Sequence, residues 1–523
     1  MSRRLLKYVI AGGTMASGFE YLRRHDFDVS SIGVVRFGRA FAAAVYIFAD
    51  YKITLKGVDR KSEVYRQLMS KIHLRSAIRL REMCCANGGV FIKVGQHVGA
   101  LEYLLPAEYV QTMKVLHNDA PQSPLKDMHR VIEEDLGKEV QELFTSFSEK
   151  PIGAASLAQV YKATLHDGTV VAVKVQHLNV KKHSFVDLKT MELLIHAAAW
   201  LFPEFQFLWL AEETKKNLPL ELDFVHEGHN CEKVAKLYKH FKFLKVPKVY
   251  WKLTTGRILT MEFCEGGKVD DKEYMKKHNI NVDKISKNLG KLYSEMIFVK
   301  GYVHCDPHPG NIFINKTDEN DVEIVLLDHG LYQTLTDDFR LNYSLMWQSL
   351  INADIEGIKK HSQALGAGEL YGLFACMLTA RSWTAVTTGI DKVQHSDAEA
   401  DEIKQSAATY LPEISDLLNR VPRQMLLVLK TNDLLRGIEW TLQTHADASS
   451  FINMSRCCVR AVTDHELRQC HSWLPRTRVH LKGMVMQRKI DIYEIYMWFW
   501  TSFIGRWVRK VFSGSIAVRA LPS

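Results

Sequence analysis

The sequence predicts a bilobal α+β fold, and three observations carry that reading: a helical leader before any strand, two β-hairpins with helical material between them, and a helix-rich remainder around two short apolar runs. In the leader, Tyr65 to Glu142, Leu68 with Ile72, Leu74 with Ile78 and Leu80 with Met83 repeat at three-to-four spacing. Ser123-Pro124 reads as an N-cap with proline at the first helical position, before Val131, Ile132 and Leu136. Val160 to Leu165 and Thr169 to Val175 read as strands joined by Asp167-Gly168, a hairpin turn. Val246 to Trp251 and Arg257 to Phe263 read as a second hairpin across a Gly-containing turn, which makes a small β-rich lobe holding an inserted helix. From Lys284 to Lys300 a helix sets Ile285, Leu289, Leu292, Met296 and Val299 on one face. Ile312 to Ile314 and Val322 to Leu327 then flank the chemistry, and helices fill the rest. The segments follow: 1–50 a membrane-proximal or targeting piece, 51–147 the helical leader, 148–263 the small lobe, 264–450 the large lobe and 451–523 a helical C-terminal extension.

Composition narrows the function classes. A chain of 523 residues that is 47% hydrophobic can bury a large core, so it is neither a disordered tail nor a fibre. A net charge of +9 suits an anionic surface and is too weak to argue for nucleic acid. The nine cysteines are an odd count with two vicinal pairs, Cys84-Cys85 and Cys457-Cys458, and no C-x-x-C, so free thiols are expected and a zinc ribbon is not. Met1 to Phe19 carries Arg3, Arg4 and Lys7 with no acid before Glu20, the balance of a mitochondrial presequence or of an ordinary basic start. The uncharged runs Tyr8 to Phe19 and Ala40 to Ala49 fall short of the about 20 residues a span needs. Leu193 to Leu210 contains His196, Pro203 and Glu204 and reads as buried helix plus loop. Ile495 to Gly505, aromatic and followed by Arg506, Arg509 and Lys510, reads either as an interfacial segment or as a core helix ending in a basic turn.

The chemistry centres on His304-Cys305-Asp306-Pro307-His308-Pro309-Gly310-Asn311, where an acid precedes an Asn by five residues on a loop after a helix, the catalytic-loop spacing of kinases. Next, an apolar strand ends at Asp328-His329-Gly330, where a carboxylate can face a phosphate-bound metal ion. Upstream, Val171-Ala172-Val173-Lys174 puts an ammonium on the second hairpin strand, within reach of α- and β-phosphates. Singly, each residue has a bland explanation: a solvated strand lysine, a turn former before proline, a helix or strand cap. The order Lys, Asp, Asn, Asp on the fitting elements is what points to phosphoryl transfer. The turn before the first strand reads Pro151-Ile152-Gly153-Ala154-Ala155-Ser156, in which Ser156 and the backbone N–H groups of 153–156 bind phosphate or simply close a turn. Glu221-x-Asp223 followed by Glu227 places acids that need cations, and Lys174 can serve one. Lys93-Val94-Gly95-Gln96 says little by spacing alone.

With a K-x-G-Q leader, an alanine-rich nucleotide loop, E-x-D and H-x-D-x-H-P-G-N in order, residues Tyr65 to His445 resemble the UbiB, or aarF-domain, atypical kinases, and most of all the animal mitochondrial members. The resemblance implies a bilobal protein-kinase-like fold in which Lys93 pairs with Glu221 and Asp223, and Lys174 with Glu227 and the nucleotide. It further implies that Ile152 to Ser156 and Val160 line the nucleotide, that Asn311 and Asp328 hold Mg²⁺, that Asp306 acts as catalytic base, and that Met261-Glu262-Phe263-Cys264 forms the adenine-contacting hinge. Gly153 departs from the family's usual first alanine and relaxes the loop. Cys305 stands where ordinary kinases have arginine, so phospho-activation is not expected. Few residues separate Gly330 from a helix capped at Thr336 before Asp337 and Asp338, and no A-P-E follows, so a peptide substrate is disfavoured.

The expectation is an Mg²⁺- and ATP/ADP-binding kinase or ATPase of the mitochondrion, associated with inner-membrane lipid surfaces and proteins, serving lipid homeostasis or cristae organisation, with no nucleic acid and no zinc. The alternatives are a nucleotide-binding scaffold without phosphotransfer, regulating membrane-shaping proteins or a protease, and a small-molecule phosphotransferase of the aminoglycoside-kinase type, against which the Lys93 leader argues. His97, His304, His308 and His329 lack metal spacing, and His304 and His308 are read as loop-orienting hydrogen bonders. Arg381-Ser382-Trp383 and Lys430-Thr431-Asn432-Asp433 are read as ordinary helix packing and capping.

Overall fold

The computed structural model describes residues 32–59, 62–99, 105–118, 122–202, 208–317, 319, 321–389, 410–444 and 447–501. The presequence reading, the run from Tyr8 to Phe19, the basic cluster Arg506 to Lys510 and the middle of Leu193 to Leu210 lie outside them. The described residues fall into two compact units: the chain up to Glu265 with Val325–Leu331 and a segment ending at Asn419, and the remainder.

The first unit opens with helices α1 (Gly33–Thr54), α2 (Glu63–Asn87), α3 (Val90–Gly99) and α4 (Ala107–Asn118). Ser62 caps α2 by accepting the Tyr65 N–H at 3.1 Å, and Gly88, at φ 66°, ends it. The small residues of α3 let it press against α4. A Cβ added at Gly95 would stand 2.4 Å from Leu116 Cδ1, and one at Gly99 3.0 Å from the Lys114 backbone nitrogen. Phe91, Ile92, Val98, Met113, Leu116, Leu218 and Leu222 close the core around this contact. Gly95→Val therefore overpacks a filled interior, and we expect a loss of about 1–3 kcal/mol in urea unfolding; an unchanged midpoint would show that the helices yield freely. A buried ion pair ties the leader to the helix that follows the hairpin, α6 (Val180–Leu201): Arg36 Nε meets Asp187 Oδ1 at 2.8 Å, with both side chains almost wholly buried.

Between them lie α5 (Leu125–Leu136) and an antiparallel sheet of β1 (Ser146–Phe147), β2 (Gly153–Ala154), β3 (Ala158–Thr164), β4 (Val170–Gln176) and β5 (Ile258–Glu262), ordered β1-β3-β4-β5 with β2 on β3. Ser123 does not cap α5: Pro124 itself occupies the N-cap position, and the Ser123 hydroxyl lies 2.8 Å from His177 Nδ1. Val246 to Trp251 is not a strand. Pro247 has no N–H to give, only Val249 bridges to Met261, and Trp251–Leu253 is a 3₁₀ turn. The period-two alternation of β4 then decides the site. Val171, Val173 and Val175 bury against Met128, Val131 and Ile132 of α5, while Ala172 packs with Phe224 and Cys231 of α8 (Phe224–Leu237), which follows α7 (Leu208–Glu221). Lys174, two residues beyond Ala172, is set on the α8 side.

The second unit holds β6 (Gly267–Lys268), α9 (Val282–Ser294), β7 (Tyr302–His304), β8 (Ile312–Lys316), the first residues of β9 (Val322–Leu326), β10 (Tyr332–Thr334), α10 (Asp337–Ile351), α11 (Arg423–Leu442), α12 (Asp447–Gln469) and α13 (Trp473–Thr501), so the C-terminal region is helical. Asn281 caps α9, which continues as a wider π turn, Glu295–Lys300, before Gly301 at φ 64°. The wider turn shifts the buried face to Ile297 and Phe298 and leaves Val299 half-buried, a change of period the Lys284–Lys300 reading did not foresee. No described helix is long and apolar enough to cross a membrane.

Candidate functional site

In the first unit, β4 delivers Lys174 to α8. Its ammonium lies 2.7 and 3.0 Å from the two carboxylate oxygens of Glu227, which is nearly fully buried, and 3.0 Å from Asp328 Oδ2. Glu227 is placed by Asp223, the N-cap of α8, whose carboxylate accepts the Val225 and His226 N–H groups at 3.1 and 3.4 Å. Asp223 is thus exposed and serves as a cap. Asp328 follows the end of β9, with Oδ1 taking the Gly330 N–H at 2.9 Å. Glu227 and Asn230 pin the loop from α8: Glu227 Oε1 accepts the His329 N–H at 3.3 Å and the Asn230 amide donates to the His329 carbonyl at 2.9 Å. Lys93 of α3 reaches Glu221, at the end of α7, at 2.7 Å, and Gln96 donates to the Leu116 carbonyl at 2.9 Å. A Cβ at Gly330 would stand 3.2 Å from Asp328 Oδ1 and 3.9 Å from both Glu221 Cγ and Glu227 Oε2, so one cradle gathers all three acids. Two lysines and three carboxylates leave that cradle with an excess negative charge.

The electrostatics follow. Burial alone would lower the Lys174 ammonium, yet Asp328 and Glu227 hold it above the ordinary lysine range. Desolvation would raise Asp328, but Lys174, the Gly330 N–H and Lys93 keep it well below the usual carboxylate range. Burial, against the pull of Lys174 and aided by the charge of Asp328, pushes Glu227 up to about 7. A folded-state value above the ordinary 4.5 means that Glu227 contributes stability in full below about pH 4.5 and loses it as pH rises through about 7. Wild-type protein should therefore melt several degrees lower relative to Glu227→Gln at pH 8 than at pH 5; a difference that stays flat with pH contradicts the assignment.

The loop beside this cluster is a tight hairpin turn. Gly153 pairs with Val160, the Ala155 N–H donates to the Ala158 carbonyl at 2.8 Å, and Ser156 is buried. Ala155 thus spends its backbone donor inside the turn. Ala154 lies beside Gln159 on the same ladder, Ile152 is exposed, and a Cβ at Gly153 meets open space. Val160 sits opposite Lys174 on β3. At the strand end, Glu262 is engaged by Lys245 at 2.6 Å and by the Lys248 N–H at 3.2 Å, and Cys264 is half-buried.

In the second unit, Asn311 Nδ2 donates to the Asp306 carbonyl at 3.1 Å and lies 3.5 Å from Asp306 Oδ2. His304 Nδ1 lies 2.8 Å from the Tyr293 hydroxyl, and His308 Nδ1 accepts the Gly310 N–H at 3.2 Å. Cys305 is buried, and its thiol is pushed up to about 12 by that burial. Lys430, read from sequence as part of ordinary helix packing and capping, is the residue that reading missed: its ammonium lies 3.0 Å from Asp306 Oδ1. No local signal could have revealed it, because the partners are 124 residues apart. Among the described residues no cluster of three or more His, Cys, Asp or Glu side chains could hold a metal ion.

A strand lysine paired with a helix glutamate and with an aspartate just past the end of another strand is the arrangement of a kinase-like lobe. Residues 115–362 match the ABC1 atypical kinase-like domain. The chain is 56% identical over 510 residues to AarF domain-containing protein kinase 1 of Gallus gallus, covering 97% of this chain and 98% of that one. It is 51% identical to AarF domain-containing kinase 1 of Drosophila melanogaster over 88% and 89% of the two chains, and 37% identical to the ABC1 family protein MCP2 homolog of Schizosaccharomyces pombe over 84% and 82%. The chain belongs to the ABC1/AarF family of atypical kinases.

Proposed function

We propose that the chain is an Mg²⁺-dependent nucleotide-binding kinase or ATPase of the mitochondrion, working at the inner membrane on lipid homeostasis or cristae organisation. The observation that carries the reading is the Lys93–Glu221 and Lys174–Glu227–Asp328 cradle with its excess negative charge. Each proposed ligand by itself suits a hard cation: Asp328 stays ionised, and Asn311 donates through Nδ2, which leaves its amide oxygen to ligate. When bound there, Mg²⁺ would neutralise the charge of the phosphates. Lys174 would bind the α- and β-phosphates, Glu227 would hold that lysine in place, and Asp306 would orient an acceptor hydroxyl or water. Ile152 to Ser156, Val160, Glu262 and Cys264 would line the nucleotide, with Ser156 rather than the Ala155 backbone as the phosphate donor. Mitochondrial placement rests on the likeness to the animal members and on the acid-poor, Arg-bearing first residues.

A peptide acceptor is disfavoured because the segment after the Asp328 loop folds at once into β10, pairing Tyr332 with His304 and Thr334 with Tyr302, before Thr336 caps α10. The nucleotide-binding scaffold remains the second reading, favoured by the way Lys174 and the Gly330 N–H already satisfy Asp328. The test is Mg²⁺-dependent ATP turnover by the full chain with and without anionic liposomes. Turnover lost in Asp306→Asn and raised by liposomes supports the enzyme; nucleotide binding without turnover supports the scaffold.

A further inference from the structure

The catalytic loop has no cation of its own. From His304 to Asn311 there is neither lysine nor arginine. Loose phosphoryl transfer spreads negative charge over the transferred group and needs positive charge beside the acceptor-orienting carboxylate. In the second unit that charge arrives from α11. Lys430 Nζ sits 3.0 Å from Asp306 Oδ1, with the two side chains 19% and 24% exposed, so the pair is desolvated enough to matter and open enough to meet a substrate.

Three contacts hold α11 to the loop and its flank. Thr431, fully buried, lies beside the Cys305 thiol and donates its hydroxyl to the Leu427 carbonyl at 2.8 Å. Asn432 donates to the Tyr343 hydroxyl at 3.1 Å, and Gln424 accepts the Thr336 N–H at 2.9 Å. These fix the helix register, so the lysine is delivered to one carboxylate oxygen rather than left to sample solvent. Asn311 Nδ2 lies 3.5 Å from the other oxygen, Oδ2.

We propose that Lys430 is the cation of the catalytic loop: it holds Asp306 as an ionised acceptor and balances the charge that develops on the transferred phosphoryl group. The inference rests on the kinase or ATPase reading. In the step it serves, the acceptor hydroxyl or water oxygen bonds to the γ-phosphorus as the bond from that phosphorus to the β–γ bridging oxygen breaks. ADP leaves with that electron pair, and the acceptor proton passes to Asp306 or to water. With one carboxylate oxygen held by Lys430, Asp306 is positioned to orient the acceptor, the role a dissociative transfer asks of it.

The test compares wild type, Lys430→Met and Lys430→Arg as full chains, reading kcat and KM for MgATP, MgADP affinity and thermal midpoint. Lys430→Met keeps the apolar stem and should lower kcat by about 10²-fold or more, with KM, MgADP affinity and midpoint little changed. Lys430→Arg keeps the charge and should recover most of that loss. A wild-type kcat in Lys430→Met, or equal losses in Met and Arg variants accompanied by a fallen midpoint, overturns the proposal while leaving the kinase reading standing. Absence of Asp328-dependent turnover in the wild-type protein overturns both.

Discussion

Asp328→Asn lowers Mg²⁺-dependent ATP turnover by about 10³-fold or more and lowers the melting temperature only modestly at neutral pH. Both halves come from the same cradle. Asp328 is held ionised by Lys174, the Gly330 N–H and Lys93, which suits it to a hard cation and to little else. In the protein alone, however, its charge adds to that of Glu221 and Glu227, and pushes Glu227 upward. Removing it relieves that repulsion and leaves Lys174 bonded to Glu227 at 2.7 Å, but gives up the attraction that holds Asp328 below the carboxylate range, so the fold survives with a modest loss of stability at neutral pH. The check is a turnover assay beside a thermal melt of the same preparations. Turnover within a few-fold of wild type would remove Asp328 from the site, and a large fall in the midpoint would make it a structural residue.

Arg36→Met costs about 3–5 kcal/mol of stability, because it leaves a carboxylate buried with no cation. The Arg36 guanidinium meets Asp187 through two nitrogens, bonds the Asn87 carbonyl and lies 5.8 Å from the Phe91 ring centre, so it joins α1, α2, α3 and α6 at one point. Burial already raises the Asp187 carboxyl in spite of Arg36, and without the arginine that group takes up a proton or draws in water. The double variant Arg36→Met/Asp187→Leu should regain much of the loss, since a pair of apolar side chains needs no compensation. Urea unfolding of the three proteins measures this. A single variant within about 1 kcal/mol of wild type would show that solvent reaches the pair.

Legibility followed the range over which the causes act. Lys174 and Asp328 could be read because one sits on a strand and the other just past the end of one, where a period of two or an apolar run is local and glycine-bearing motifs mark the ends. The spacing of Lys93-Val94-Gly95-Gln96 said little, and it is the fold that shows Gly95 packed against Leu116. The Lys93–Glu221 pairing came from the family resemblance, since nothing in the spacing of two helices from distant parts of the chain announces a contact. Arg36 with Asp187, 151 residues apart, and Lys430 with Asp306 were invisible for the same reason: a charged residue on a helix looks solvated until the fold supplies its partner. Misread local details had local causes that compete closely. Pro124 took the cap position from Ser123, Pro247 removed a strand donor, and a π turn shifted the face of the helix ending at Lys300.

The most direct measurement is calorimetric titration of the full chain with ADP in the presence of Mg²⁺, repeated in EDTA and with Asp328→Asn. The account predicts one nucleotide per chain, with binding lost or weakened at least about tenfold by EDTA and by the substitution. Absence of binding, or binding indifferent to both the metal and Asp328, would contradict the assignment of this cradle as a Mg²⁺-nucleotide site.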